Sequence, residues 1–180
     1  MIIEQTAIPD VLIIKPPVFS DERGYFFESY HRGRFSKAGI PVDFVQDNES
    51  KSQNNVLRGL HLQRPPFAQG KLIRVVQGAV LDIAVDVRTN SPHFGKWVST
   101  MLSGENKWMF WIPPGFAHGF LTLEEGTVFS YKCTQFYNKE SEMAIRWNDP
   151  DLGIDWGISD PVLSEKDKTA PLFRDFISPF

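Results

Sequence analysis

Apolar stretches of strand length, parted by glycines and prolines along the whole chain, leave little room for anything but a β architecture. Val11 to Ile14, Tyr25 to Tyr30, Lys71 to Val76, Ala79 to Val87, Lys107 to Ile112, Gly119 to Leu123 and Val128 to Cys133 all read as strands. Gln77-Gly78, between the third and fourth of these, predicts a tight turn with Gly78 at positive φ. Helix is expected at two places only. His31 to Gly39 predicts a short turn closed by Gly39 at the C′ position. Ser164 to Lys168 predicts a second, with Ser164 as N-cap and Asp167 where a capping carboxylate sits. The expected fold class is all-β, one antiparallel sandwich or barrel with a few short helices, and residues 1–180 are expected to form a single domain.

Composition and charge narrow the function. The 180 residues are 42% hydrophobic and 23% charged, which is globular and excludes a disordered or collagen-like chain. Cys133 is the single cysteine, so no intrachain disulfide forms and nothing argues for an oxidising compartment. A net charge of −3 argues against a general nucleic-acid binder while leaving room for one basic phosphate pocket. The start, Met1 to Thr6, lacks the pattern of a secretory signal, and no apolar run approaches the roughly 20 residues of a membrane helix. The expectation is a cytoplasmic protein without membrane or nucleic-acid partners.

The stretch Val80 to Val87 alternates. Leu81, Ile83, Val85 and Val87 face one way, and Val80, Asp82, Ala84 and Asp86 the other. Either the aspartates face water, or they point into a barrel interior that holds a polar ligand site. Asp86, near the strand end, fits the solvent reading better than Asp82.

Two histidines stand in distinctive settings. Arg58-Gly59-Leu60-His61-Leu62-Gln63 precedes a proline pair. Regular alternation would put Arg58 and His61 on opposite faces, so a shared pocket requires a bend, and Gly59 is the place for one. Pro113-Pro114-Gly115-Phe116-Ala117-His118-Gly119-Phe120 matches P-x-G-x-x-H, which resembles the second motif of the cupin superfamily. Metal-binding cupins carry two histidines one residue apart in their first motif, whereas this chain has His61-Leu62-Gln63. Neutral glutamine is a poor replacement for imidazole or carboxylate, so no metal is expected. The polar residues available to one pocket are Arg23, Glu28, Gln46, Asn48, Arg58, His61, Lys71, Asp82, His118, Tyr131 and Asp167. A histidine base, a phenolic acid, an ammonium for an enolate oxygen and arginines for phosphate suit proton abstraction beside a carbonyl.

The whole chain resembles the dTDP-4-dehydrorhamnose 3,5-epimerase family, metal-free cupins of deoxysugar nucleotide biosynthesis. The likeness rests on Asp21 to Glu28, Phe44 to Asn48, Leu57 to His61, Lys71 to Arg74, Pro114 to Phe120, Asn148 to Pro150 and Leu163 to Asp167. It implies a double-stranded β-helix, or jelly roll, that converts dTDP-4-dehydro-6-deoxy-D-glucose to dTDP-4-dehydro-L-rhamnose without a cofactor. His61 resembles the base at C3 and C5, Asp167 its dyad partner, Tyr131 the acid on the other face, and Lys71 the lysine at the enolate oxygen. Arg23, Glu28, Gln46, Asn48, Arg58, His118, Glu142 and Lys166 correspond to contacts with the nucleotide-sugar. Phe26 and Phe136 resemble its aromatic contacts, the latter stacking on thymine, although many relatives have tyrosine there. The family forms homodimers in which the N-terminal segment adds to the partner's sheet, and the strand edge near Ile2 and Ile3 suits that exchange.

Three alternatives stay open at this point. One is a relative that inverts only C3 or moves the ketone between C3 and C4. Another is a metal cupin acting on a small acid. The last is a non-catalytic sugar-nucleotide binding module.

Overall fold

The computed structural model describes residues 1–40 and 43–180. Its strands are β1 (Ile2–Gln5), β2 (Leu12–Lys15), β3 (Val18–Asp21), β4 (Gly24–Phe27), β5 (Gln46–Ser52), β6 (Leu57–Gln63) and β7 (Lys71–Gln77), followed by β8 (Ala79–Asp86), β9 (Trp97–Ser103), β10 (Met109–Ile112), β11 (Phe116–Thr122), β12 (Thr127–Cys133) and β13 (Glu142–Ala144). The helices α1 (Arg32–Lys37) and α2 (Glu165–Lys168) are one to two turns long. Six strands lie in the order β1-β2-β10-β7-β12-β5, and five in the order β13-β6-β11-β8-β9, while β3 and β4 pair only with each other. Every pairing within these sheets is antiparallel. Most neighbours in the two large sheets are distant in sequence, as the expected all-β jelly-roll class requires.

Alternation decides which side chains fill the space between the sheets. Ile73 and Val75 of β7, Phe110 and Ile112 of β10 and Phe129 of β12 meet Val80 and Ala84 of β8, Leu102 of β9 and Phe116 and Phe120 of β11. Behind the five-stranded sheet, Leu60, Ile83, Val85 and Leu121 pack on Trp147, Leu152 and Trp156 of the C-terminal segment. That sheet is therefore covered on both faces, which is why β8 and β11 are almost wholly buried. Behind the six-stranded sheet, Ile14, Leu72, Met109 and Trp111 receive Phe35 of α1 and Ile40.

The turn chemistry is as expected. Gly78 has φ +79°, and an added Cβ would lie 2.4 Å from Thr127 Oγ1. Gly39 has φ +86° just beyond α1, and the Ser164 hydroxyl accepts from the Asp167 N–H to start α2. Several boundaries differ. The expected strand from Tyr25 stops at Phe27, the one from Lys107 begins at Met109, and β11 begins at Phe116, inside the P-x-G-x-x-H motif. Strand β5 reads QDNESKS and has no apolar residue to announce it; β12 holds it at the sheet's edge through seven register pairs. Strand β9 does alternate, with Val98, Thr100 and Leu102 buried, yet its polar positions hid it.

The solvent reading of Asp86 is wrong. It is fully buried and accepts from Arg88 Nε at 3.0 Å, Arg88 Nη2 at 2.6 Å, the Arg88 backbone N–H at 3.0 Å and Ser91 Oγ at 2.6 Å. A charge with that many donors tolerates burial at a strand end. Among the described residues no helix is long and apolar enough to cross a membrane.

Candidate active site

The space between the sheets opens at one end into a cavity of about 540 Å³. The five-stranded sheet contributes Arg58 and His61 of β6 and His118 and Phe120 of β11, while the six-stranded sheet contributes Asn48 of β5, Lys71 of β7, and Phe129 and Tyr131 of β12. Leu163, Ser164 and Asp167, at the start of α2, close one side. His61 and Tyr131 thus approach the same space from opposite sheets.

Gly59 brings Arg58 and His61 to that space together. It has φ +142°, and the β6–β11 register slips between His118 and Phe120. A side chain there would force the backbones apart, since its Cβ would sit 2.5 Å from Gly119 Cα. The expected bend is present, and its cause is the close approach of two glycine backbones. Arg58 is steadied by donating to Ser52 Oγ at 3.1 Å.

His61 is oriented by Asp167, with Nε2 to Oδ1 at 2.5 Å. Burial works to raise the Asp167 carboxyl, but the His61 hydrogen bond and charge, with the Ser164 contact, outweigh it and hold the group below the usual carboxylate range. Asp167 is therefore an anion, and when it accepts the Nε2 hydrogen of a neutral imidazole the lone pair of that ring lies on Nδ1. The capping expectation for Asp167 is corrected here. Its carboxyl turns to His61, and only its backbone N–H takes part in the cap.

Tyr131 lies on the opposite wall, and burial, reinforced by Cys133, pushes its phenol above the ordinary value so that it keeps its proton. Lys71 Nζ stands 6.0 Å from the Tyr131 ring centre. Burial pulls Lys71 below the ordinary ammonium range, against the opposing pull of Cys133, Asp82 and Glu142.

The other expected residues divide into groups. Asn48 and His118 line the cavity, and Gln46 donates to Asn48 Oδ1 at 3.0 Å from just outside it. Asp82 does not line the cavity as expected of a substrate contact. It is fully buried behind His118, with its Oδ1 2.9 Å from His118 Nε2. Glu142 pairs with Lys166 and accepts from the Tyr137 hydroxyl at 3.3 Å. Phe136 is 58% exposed beside Tyr137. Arg23, Phe26 and Glu28 are apart from the cavity of their own chain. Arg23 pairs with Asp21 at 2.5 Å on the β3–β4 hairpin, Phe26 is 71% exposed there, and Glu28 pairs with Arg34 at 3.1 Å.

Sequence reasoning missed the role of the glutamines. Gln63 Nε2 donates to the carbonyls of Phe67 and Phe136 at 2.7 and 3.1 Å, and its Oε1 accepts from the Asn138 N–H at 2.8 Å. Gln46 Oε1 accepts from the Tyr137 N–H, and Gln69 donates to the Gln135 carbonyl. The residue at the place of a cupin metal ligand is thus a backbone strut for the 135–138 segment. Among the described residues no three His, Cys, Asp or Glu side chains are grouped to hold a metal ion. Glu49, Ser50, Val56 and Val162 also line the cavity without having been singled out.

Residues 5–175 match the family model described as dTDP-4-dehydrorhamnose 3,5-epimerase. The chain is 58% identical over 174 residues to the dTDP-4-dehydrorhamnose 3,5-epimerase of Salmonella typhimurium, covering 96% of this chain and 95% of the relative. A crystal structure of the enzyme of that name from Elizabethkingia anophelis superposes with a TM-score of 0.93 at 53% identity, covering 97% of both chains. The dTDP-6-deoxy-D-glucose-3,5-epimerase of Legionella pneumophila, solved with dTDP-4-keto-L-rhamnose, has a TM-score of 0.93 at 50% identity and covers 97% of this chain and 94% of its own.

Proposed function

The chain belongs to the dTDP-4-dehydrorhamnose 3,5-epimerase family, and from that membership we propose how its residues convert dTDP-4-dehydro-6-deoxy-D-glucose to dTDP-4-dehydro-L-rhamnose. The C4 ketone acidifies the C–H bonds at C3 and C5. His61 Nδ1 removes a proton from one face, and the Asp167 carboxylate stabilises the imidazolium that forms. Lys71 and His118 hold the enolate oxygen, and Tyr131 returns a proton from the other face. The same pair acts at the second carbon, and both groups reset by exchange with solvent. The observation that carries this reading is the placing of His61 and Tyr131 on facing sheets across one cavity. A base and an acid on one wall would return the proton to the face it left.

Arg58, Asn48 and Gln46 bind the diphosphate and sugar at the cavity, the paired Glu142 and Lys166 add a further polar contact, and Phe136 stacks on thymine. Remote contacts of this kind position the sugar for proton transfer. Arg23, Phe26 and Glu28 act from the partner subunit of a homodimer, which accounts for their separation from the cavity of their own chain. In that dimer the N-terminal strands are exchanged, each 180-residue chain forms one cytoplasmic epimerase subunit, and no cofactor takes part.

Proton NMR of the 4-keto substrate in D₂O tests the reaction. Deuterium should enter at both C3 and C5. Label at C3 alone would reject double epimerisation in favour of a 3-epimerase. His61→Ala should lower exchange by about a hundredfold to ten-thousandfold while largely sparing binding, and Tyr131→Phe should slow inversion. Exchange retained in His61→Ala would refute the base assignment.

A further inference from the structure

The cavity wall holds two histidine–aspartate pairs of opposite character. In each, a histidine Nε2 meets an aspartate Oδ1, at 2.5 Å for His61–Asp167 and 2.9 Å for His118–Asp82. The surroundings differ. Asp82 is fully exposed to nothing, at 0% accessibility, and its Oδ2 is the one buried side-chain oxygen or nitrogen without a hydrogen-bond partner among the described residues. Asp86, two turns of the pleat further along the same face of β8, has every donor a carboxylate wants. Asp82 has one.

Aromatic rings pack around the pair. The His118 ring lies 6.1 Å from Phe129 and 6.2 Å from Phe120, and those two rings stack at 3.8 Å. The register partner of Asp82 on β9 is Thr100, which is buried and does not titrate. The charged and titratable groups that share the cavity with the pair are Lys71 from β7, Arg58 and His61 from β6, Glu49 from β5, Tyr131 from β12 and Asp167 from α2, of which Lys71 and His61 act on it directly. None supplies Oδ2 with a hydrogen bond.

We propose that Asp82 is a neutral carboxylic acid that donates its hydrogen to Nε2 of His118, fixing that imidazole as the tautomer with its hydrogen on Nδ1, a donor to the ketone oxygen in the cavity. The proton balance of the pair decides between the forms. A carboxylate beside a neutral imidazole leaves a net negative charge in an apolar wall with one oxygen bare, a costly arrangement. Adding one proton removes that charge. Oδ1 becomes the hydroxyl donor, Oδ2 becomes a carbonyl oxygen that tolerates poor satisfaction better, and the single N–H of the neutral imidazole must sit on Nδ1. Burial pushes Asp82 up and His118 down, in the same sense, with the mutual attraction of the pair and Lys71 opposing the rise of Asp82. His118 Nδ1 has no protein partner among the described residues, and the ring lines the cavity. Asp82 is thus a positioning residue, and the two pairs divide the work. An ionised aspartate makes His61 an acceptor, and a protonated one makes His118 a donor.

This rests on the epimerase reading, and the test separates the two. Nitrogen NMR of the intact protein labelled in its histidines reads the tautomer without substrate, with His118→Asn to assign the signal. Wild type should show a neutral His118 with hydrogen on Nδ1, and infrared difference spectra against Asp82→Asn should contain a protonated carboxylic acid band. With the 4-keto substrate, Asp82→Leu should lower solvent exchange by about tenfold to a hundredfold. Asp82→Asn, whose amide N–H can replace the acid hydrogen, should recover most of that loss. Hydrogen on Nε2 alone, an imidazolium, or Asp82→Asn as slow as Asp82→Leu overturns the proposal. Absence of exchange in wild type would defeat the epimerase reading and leave the spectra to judge the pair.

Discussion

Asp82, Asp86 and Asp167 are all buried aspartates of this chain, and each is settled by its count of donors. Asp86 faces the Arg88 guanidinium, the Arg88 backbone and Ser91. Burial alone would raise it, but Arg88 above all holds it below the usual carboxylate range. Removing the partner strands the charge, so Arg88→Ala should destabilise the protein by about 3–5 kcal/mol in urea unfolding. Asp86 and Asp167 both have folded-state values below those of the unfolded chain. The stability they contribute is present above the unfolded value of about 4 and is lost as pH falls below it through the folded values. Asp86→Asn should therefore flatten the acid limb of a stability–pH curve. Asp82, raised in the fold, has the reverse sign: its contribution declines as pH climbs from about 4 through its folded value. Sequence alternation placed Asp82 and Asp86 on one face, but it contains no information about donors arriving from Arg88 and His118.

At the level of elements, the site depends on how β6 crosses β11. The irregularity at Gly59 sets Arg58 and His61 toward one cavity, and the backbone of Gly119 fills the space a side chain would need. Gly59→Ala should destabilise the fold by about 1–3 kcal/mol or more, measured by urea unfolding, from positive φ and the clash together. The bend was legible because Arg58 and His61 could share a pocket only with one. Strands β7, β8 and β12 were legible as well, since they bury alternating or continuous apolar runs. Strand β5 was not, because an edge strand is specified by its neighbour's backbone more than by its own side chains. The same holds for the 135–138 segment, whose conformation is set by Gln46, Gln63 and Gln69 from three separate places.

On the scale of the whole molecule, the β3–β4 hairpin leaves Val18, Phe19, Tyr25 and Phe26 exposed and makes no pairing with either large sheet. A homodimer in which that segment reaches the partner's cavity should give twice the chain mass in analytical ultracentrifugation. Mixing and refolding the variants Arg23→Ala and His61→Ala should then give more activity than either variant alone, because some sites would take both intact residues, one from each chain. No recovery from a mixed dimer would place Arg23 outside the shared site. Periodicity and φ constraints are local properties, so the β architecture and the turn glycines were legible along the chain, while His61, Tyr131, Lys71 and Asp167 entered as candidates through the family resemblance. Long-range packing alone puts His61 and Tyr131 on different sheets across one cavity, makes Gln63 a strut, and buries Asp82 and Asp86. Those outcomes depend on which strands become neighbours across long stretches of chain, and the protonation and role of a buried group follow from the partners that such packing delivers.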